Sequence, residues 1–220
     1  MSLGAGVADL GSIAGGFLLA VEGVDGAGKS TVLNALEQHC RHQGLACLRS
    51  REPTDGPFGK RLRQSAQSGR SSLAQELEWF LADRREHVEA VIAPALARGD
   101  VVLLDRYYFS NAAYQGARGA DPDEVLRLNE AFAPVPDLVL LLDCAAEVSL
   151  ERIRRRGSIP DEFERREALE TVRRIFLSIR RPFIRQVEAQ EPEQVVAQEC
   201  VRLLRGALEQ KRAEGALGKD

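Results

Sequence analysis

The sequence predicts an α/β protein: a parallel five-stranded sheet covered by helices on both faces. Two observations carry this. Short aliphatic runs closed by turn or polar residues alternate with segments of helical period, and a glycine-rich loop stands where the first run gives way to the first helix. A third, composition, sets the scale. With 220 residues, 44% hydrophobic and 29% charged, the chain is long enough for one sizeable core.

The first run, "FLLAVEGV" (17–24), reads as a buried strand, followed by a helix over 29–43. A weaker strand, "ACLRSRE" (46–52), precedes a helical pattern over about 72–98. "VVLLDRY" (101–107) and "LVLLLDC" (138–144) are the next strands. "FIRQVEA" (183–189) is the fifth and the least apolar. Helical patterns also cover 121–133, 145–156, 161–181 and 191–211. Residues 1–16 are small and glycine-rich and read as a flexible leader. Residues 17–210 form one domain, and the polar 211–220 reads as a frayed tail. Ligands in such sheets gather at the carboxyl ends of the strands, so that edge is where a site is expected.

The formal net charge of −3 excludes a broad electrostatic footprint for nucleic acid, and no run reaches the roughly 20 apolar residues of a membrane span. The four cysteines, Cys40, Cys47, Cys144 and Cys200, show neither zinc-site pairs nor the density of a disulfide scaffold. A reduced, cytoplasmic setting is therefore expected.

"GVDGAGKS" (23–30) fits G-x-x-x-x-G-K-[ST], after a strand and opening a helix. Gly23, Val24, Asp25, Gly26, Ala27 and Gly28 would curl so that backbone N–H groups face the phosphates of ATP, aided by the positive end of the helix dipole. Lys29 would reach the β- and γ-phosphates, Ser30 would ligate Mg2+, and Thr31 is the last of the expected ATP-binding residues. The sheet is thus of the P-loop NTPase type.

"DRYYFSNAAYQG" (105–116) leaves the most aliphatic strand at the same edge. Asp105 there could hold magnesium and Arg106 a phosphate, although Asp-Arg is also an ordinary surface ion pair. "RSREP" (49–53) again places charged residues after a strand. In "LEWFLADRREH" (77–87), Phe80 and Arg84 share a helix face. That pair could stack on and hydrogen-bond a base. By spacing alone, however, Phe80 belongs to an apolar stripe with Leu77, Leu81, Val88, Val91 and Ile92, the pattern of a core face.

Taken in order, "EGVDGAGKST", "REP", "FLADR" and "DRYYFSNAAYQG" resemble the thymidylate kinases, from about Phe17 to Gly157. The resemblance implies transfer of phosphate from ATP to thymidylate with magnesium, by a homodimer paired through helices on one side of the sheet. It also implies roles: Phe80 on the thymine ring, Arg84 on its edge, Asn111 and Ser110 beside the base, Tyr114 against the sugar and Gln115 at base or sugar. Asp25 would lie near the acceptor, and Arg106 and Arg51 would bind the acceptor phosphate.

From 151 to 185 there are 11 arginines against 6 acidic residues, and 152–165 reads as an arginine-rich lid. Arg152, Arg154, Arg155 and Arg156 are candidates to close over ATP, with Arg154 and Arg156 expected to be catalytic alongside Lys29 and Arg106. Some relatives carry a basic residue within the phosphate loop. Here that position is Gly26 or Ala27, which implies that the lid supplies the arginine. The stretch "RQVEAQEPEQV", with Val187, Glu188 and Ala189, departs from the family's usual final strand and bears on adenine binding. Two rival readings are a deoxynucleoside kinase, with Glu52 as base for a 5′-hydroxyl, and a nucleotide-binding module without transfer activity.

Overall fold

The computed structural model describes residues 12–155, 157 and 162–217. In chain order, β1 (Phe17–Glu22), α1 (Lys29–His42), β2 (Cys47–Arg51), α2 (Pro57–Gln67) and α3 (Leu73–His87) form the first part. A π-helical turn (Val88–Ile92) continues α3 into α4 (Ala93–Ala97). β3 (Val101–Asp105), α5 (Tyr108–Gly116), α6 (Pro122–Glu130) and β4 (Leu138–Asp143) follow. The chain closes with α7 (Ala146–Arg154), α8 (Glu162–Ser178), β5 (Ile184–Glu188) and α9 (Glu193–Leu217).

The five strands form one parallel sheet in the order β2-β3-β1-β4-β5. All six residues of β1 and of β4 are buried, as strands covered on both faces must be. β2 and β5 are edges and are half exposed, which is why their sequences are the least aliphatic of the five. Phe17 shares a groove with Leu203 and Ala207 of α9 on one face. On the other face Val139 and Leu141 lie with Phe109 of α5, Phe176 of α8 and Ile179 just beyond it.

The register places the loop-forming ends side by side. Val21 pairs with Asp105 and Glu22 with Leu141, so the turns after β1 and β3 leave the sheet at one edge as neighbours.

Several boundaries differ from the sequence expectation. Helices α2 and α5 were not expected. Ile13, inside the stretch read as a leader, is buried, and its N–H donates to Gly99 O at 2.9 Å. The final helix continues past 211 to Leu217, and Lys211 Nζ reaches Asp137 Oδ1 at 2.6 Å. Residues 1–11 and 218–220 of the expected leader and tail lie outside the described residues.

Leu19 sits at the centre of β1, fully buried. Leu19→Ala should lower stability by about 3 kcal/mol, within the 2–5 kcal/mol range of such truncations, in a urea unfolding titration.

Candidate active site

The phosphate loop joins β1 to α1 through backbone conformations that only glycine adopts cheaply. Gly23 has φ 135°, and a Cβ there would lie 2.6 Å from Leu142 O; Gly26 has φ 84°, and its Cβ would lie 2.5 Å from Ser149 O. The loop is therefore seated on the end of β4 and on α7. Lys29, the first residue of α1, folds back over it, its Nζ donating to Gly23 O at 3.0 Å and Val24 O at 2.9 Å. Burial, reinforced by the nearby Arg106 charge, pushes the Lys29 ammonium down to about 8. An anionic ligand would favour its charged form.

Beside the loop, Arg106 follows β3 in a left-handed conformation, φ 70°. Its N–H donates to Val21 O at 3.1 Å, fastening the turn to β1. The guanidinium then bridges two regions. Nη2 donates to Asp25 Oδ1 at 2.6 Å and to Tyr114 Oη at 3.2 Å; Nη1 donates to Ser110 Oγ at 2.9 Å and approaches Gly23 O at 3.4 Å. Burial opposes ionisation of Asp25, but Arg106, Lys29 and, further off, Arg165 outweigh it and hold its carboxyl below the usual range. Burial raises the Tyr114 hydroxyl above its ordinary value.

From Arg106 a cleft of about 240 Å³ runs between α3 and α5. Asp25, Phe80, Arg84, Ser110, Asn111, Tyr114 and Gln115 line it, as expected of acceptor residues. Phe80 is thus on the cleft wall and not in the core to which its helical stripe assigned it: α3 has apolar contacts on one side and the cleft on another. Arg51 lies apart from the other candidates. Its side chain is 62% exposed, pairs with Asp55 at 2.8 Å and does not line the cleft. Arg63, which also pairs with Asp55, does line it.

Arg84 is only 2% exposed. Its Nε and Nη2 donate to Glu52 Oε2 at 2.8 and 2.6 Å, and Nη1 donates to Asn129 Oδ1. Glu52 Oε1 lies 3.0 Å from His87 Nδ1, and His87 Nε2 lies 2.7 Å from Ser50 Oγ. Asn129 in turn donates to Asn111 Oδ1 at 3.3 Å, while Asn111 Nδ2 is buried without a protein partner among the described residues. A buried donor of this kind is open to an acceptor on a water molecule or a ligand. At the far end, Gln115 Oε1 accepts from Arg118 at 3.1 Å, and its Nε2 lies 3.5 Å from Glu76, a buried carboxylate that also accepts from Ser65 at 2.8 Å. Arg63, Arg70 and Glu76 are cleft residues that motif reading missed, and Glu52, weighed in the sequence only as a base, lines the cleft too.

The lid region is redistributed. Arg152 Nη1 donates to Ala189 O at 2.9 Å, beside a crevice shared with Ala27, Gly28 and Thr31, so it anchors the loop after β5 to α7. Arg154 and Arg155 pair with Glu151 at 2.9 and 3.1 Å on the exposed side of α7. Arg156 lies outside the described residues. Arg173 holds α8 to the end of β4 through Asp143, at 2.5 Å. Arg165 is exposed, four residues before the buried Leu169 of α8, and near enough to Asp25 for its charge to act on that carboxyl. Phe176 meets the Tyr114 ring with centroids 6.4 Å apart. Arg165 was not singled out in the sequence.

The thymidylate kinase family profile matches residues 21–200. The chain belongs to the thymidylate kinase family. It is 46% identical over 206 residues to a thymidylate kinase of Xanthomonas campestris pv. campestris, covering 94% of this chain and 90% of that one. A thymidylate kinase of Xanthomonas oryzae pv. oryzae is 47% identical over 194 residues, 88% and 85% of the two chains. One from Akkermansia muciniphila is 48% identical over 182 residues, 83% and 88%.

Gly26 and Ala27 are the two loop positions at which a basic residue would stand. At Gly26 the Ser149 carbonyl closes the position to any side chain. Gly26→Arg should therefore push the loop off α7, and kcat/KM for the nucleoside triphosphate should fall at least about tenfold in steady-state assays, with no gain in kcat.

Proposed function

We propose that the chain transfers the terminal phosphoryl group of ATP to the 5′-phosphate of thymidylate, forming thymidine diphosphate. The observation that carries this reading is the position of Arg106, whose guanidinium touches the phosphate loop at Asp25 and Gly23 and the cleft at Ser110 and Tyr114. A cleft that ends on a fixed cation beside the donor loop suits an acceptor that brings its own anion. A phosphate acceptor is already a nucleophile near neutral pH, so in-line positioning and charge neutralisation by Lys29 and Arg106 suffice. A 5′-hydroxyl acceptor would need a base, and Glu52, the candidate for it, is held by Arg84 and His87.

In this reading thymine stacks on Phe80. Its edge is read by Arg84, by the unpartnered Nδ2 of Asn111 and by Gln115, and the deoxyribose lies against Tyr114. Ser30 and Asp105 are the oxygen donors that would hold magnesium. Asp105 lies close enough to Lys29 to act on its charge, and one carboxylate, one hydroxyl and the substrate phosphates suit an ion that keeps several waters. The ion would neutralise charge on the phosphates. Arg165, at the start of α8, is the described lid arginine whose charge acts on Asp25 of the phosphate loop, which supports it for this role. Arg154, paired with Glu151, is supported less, and Arg156 keeps its proposed role on resemblance alone. Cytoplasmic location and assembly as a homodimer belong to the same proposal, supported by family membership. No described helix is long and apolar enough to cross a membrane.

A coupled assay with magnesium-ATP should show turnover with thymidylate, less with deoxyuridylate and none with thymidine; phosphorylation of thymidine alone would reject the proposal. Arg165→Ala should lower kcat by about 100-fold while thymidylate affinity changes little, since a lid arginine acts on charge in the transition state. Unchanged turnover would remove Arg165 from this role.

A further inference from the structure

Glu22, the last residue of β1, is fully buried and does not line the acceptor cleft. Its Oε1 accepts the N–H groups of Tyr107 and Ser110 at 2.8 and 3.2 Å, and Oε2 accepts the Ser110 hydroxyl at 2.5 Å. These donors belong to the first turn of α5, whose own N-cap residue, Tyr107, offers no side-chain cap. An interior carboxylate 85–88 residues away in sequence thus caps the helix that carries the cleft wall. The Ser110 oxygen accepts from Arg106 Nη1 while its proton goes to Glu22, so one relay joins Glu22, Ser110 and Arg106.

Val139 and Leu141 of β4, Ile184 of β5, Phe109 of α5, Phe176 of α8 and Ile179 just after it line a small void beside Glu22. The charged and titratable groups facing it are Arg106, Lys29 and Tyr108. A buried carboxylate with no substrate to touch costs stability unless its hydrogen bonds are filled, and here every one is spent on the acceptor turn.

We propose that Glu22 is a positioning residue for the acceptor phosphate: by capping α5 it fixes the left-handed Arg106 backbone and the Ser110 hydroxyl against the phosphate loop. The inference rests on the acceptor reading given above. An isosteric amide would turn its NH2 to the Ser110 oxygen, so that the Ser110 hydroxyl would have to accept there instead of donating, and would remove the negative charge that faces Arg106.

Glu22→Gln tests this in the full chain. Thymidylate KM should rise and kcat should fall, each at least about tenfold, while ATP affinity by calorimetry stays within about twofold. Thymidylate KM and kcat both within twofold of the native chain would overturn the proposal. So would equal losses in ATP and thymidylate affinity, which mark a general packing role. A native chain that phosphorylates no nucleoside monophosphate would instead reject the acceptor reading itself.

Should Glu22→Gln fail to fold, the native chain supplies a second test. Burial pushes the Glu22 carboxyl up to about 7, so it is charged above that pH and takes up a proton below it, which removes its negative charge and turns one accepting oxygen into a donor. Asp25 is held low and stays ionised; Tyr107, Tyr108 and Tyr114 are raised and stay neutral; Lys29 gains charge on acidification, an effect of opposite sign on anion binding. Thymidine 5′-sulfate, whose charge does not titrate in this range, should bind at least about threefold more weakly at pH 6 than at pH 8. Binding that is flat or tighter at pH 6 would overturn the proposal.

Discussion

The site depends on one interlock: the carboxylate of Glu22 and the guanidinium of Arg106 tie the turn after β3 to the loop after β1. The parallel register brings the two strand ends together, but register alone leaves two adjacent loops. Glu22 caps α5 from inside the sheet, and Arg106 reaches back to Asp25 and Gly23. The donor cradle and the acceptor cleft therefore share a wall. Their separation, which in-line phosphoryl transfer must fix to a fraction of an ångström, is set by bonds within the protein core and not by flexible side chains reaching from a surface.

The second layer has the same character. Arg84 is oriented by Glu52 and Asn129, Glu52 is braced by His87, and Asn129 turns Asn111. Breaking one member of such a buried charged set typically costs about 3–5 kcal/mol, so these side chains hold fixed directions before substrate arrives. Preorganisation of this kind places the cost of ordering the pocket in folding, where the core around β1 and β4 offsets it.

The phosphate loop was legible in the sequence because its glycines, lysine and serine are local in the chain and their spacing is the mechanism. The sequence placed both motifs at the carboxyl edge of the sheet, but that their strands are neighbours is seen only in the structure. What lay hidden was contact across long separations: nothing around Glu52 announces that it pairs with Arg84, 32 positions away, or that Glu22 caps a helix beginning at Tyr108. Helix α5 escaped notice because Ser110, Asn111 and Gln115 turn inward to the cleft, which erases the usual apolar and polar faces. Phe80 misled for a related reason, since a helix that lines a cleft carries apolar residues that are not core. Among the arginines of the lid, composition could not separate those spent on Glu151, Glu147 or Asp143 from Arg165, whose charge acts on Asp25.

The interlock is tested most directly by a double-mutant cycle on kcat/KM for thymidylate, using Glu22→Gln, Arg106→Lys and the pair. If the two side chains act as one device, the second substitution costs far less once the first is made, with a coupling energy of about 1 kcal/mol or more. Additivity within about 0.3 kcal/mol would show that Glu22 and Arg106 act independently and would contradict the account.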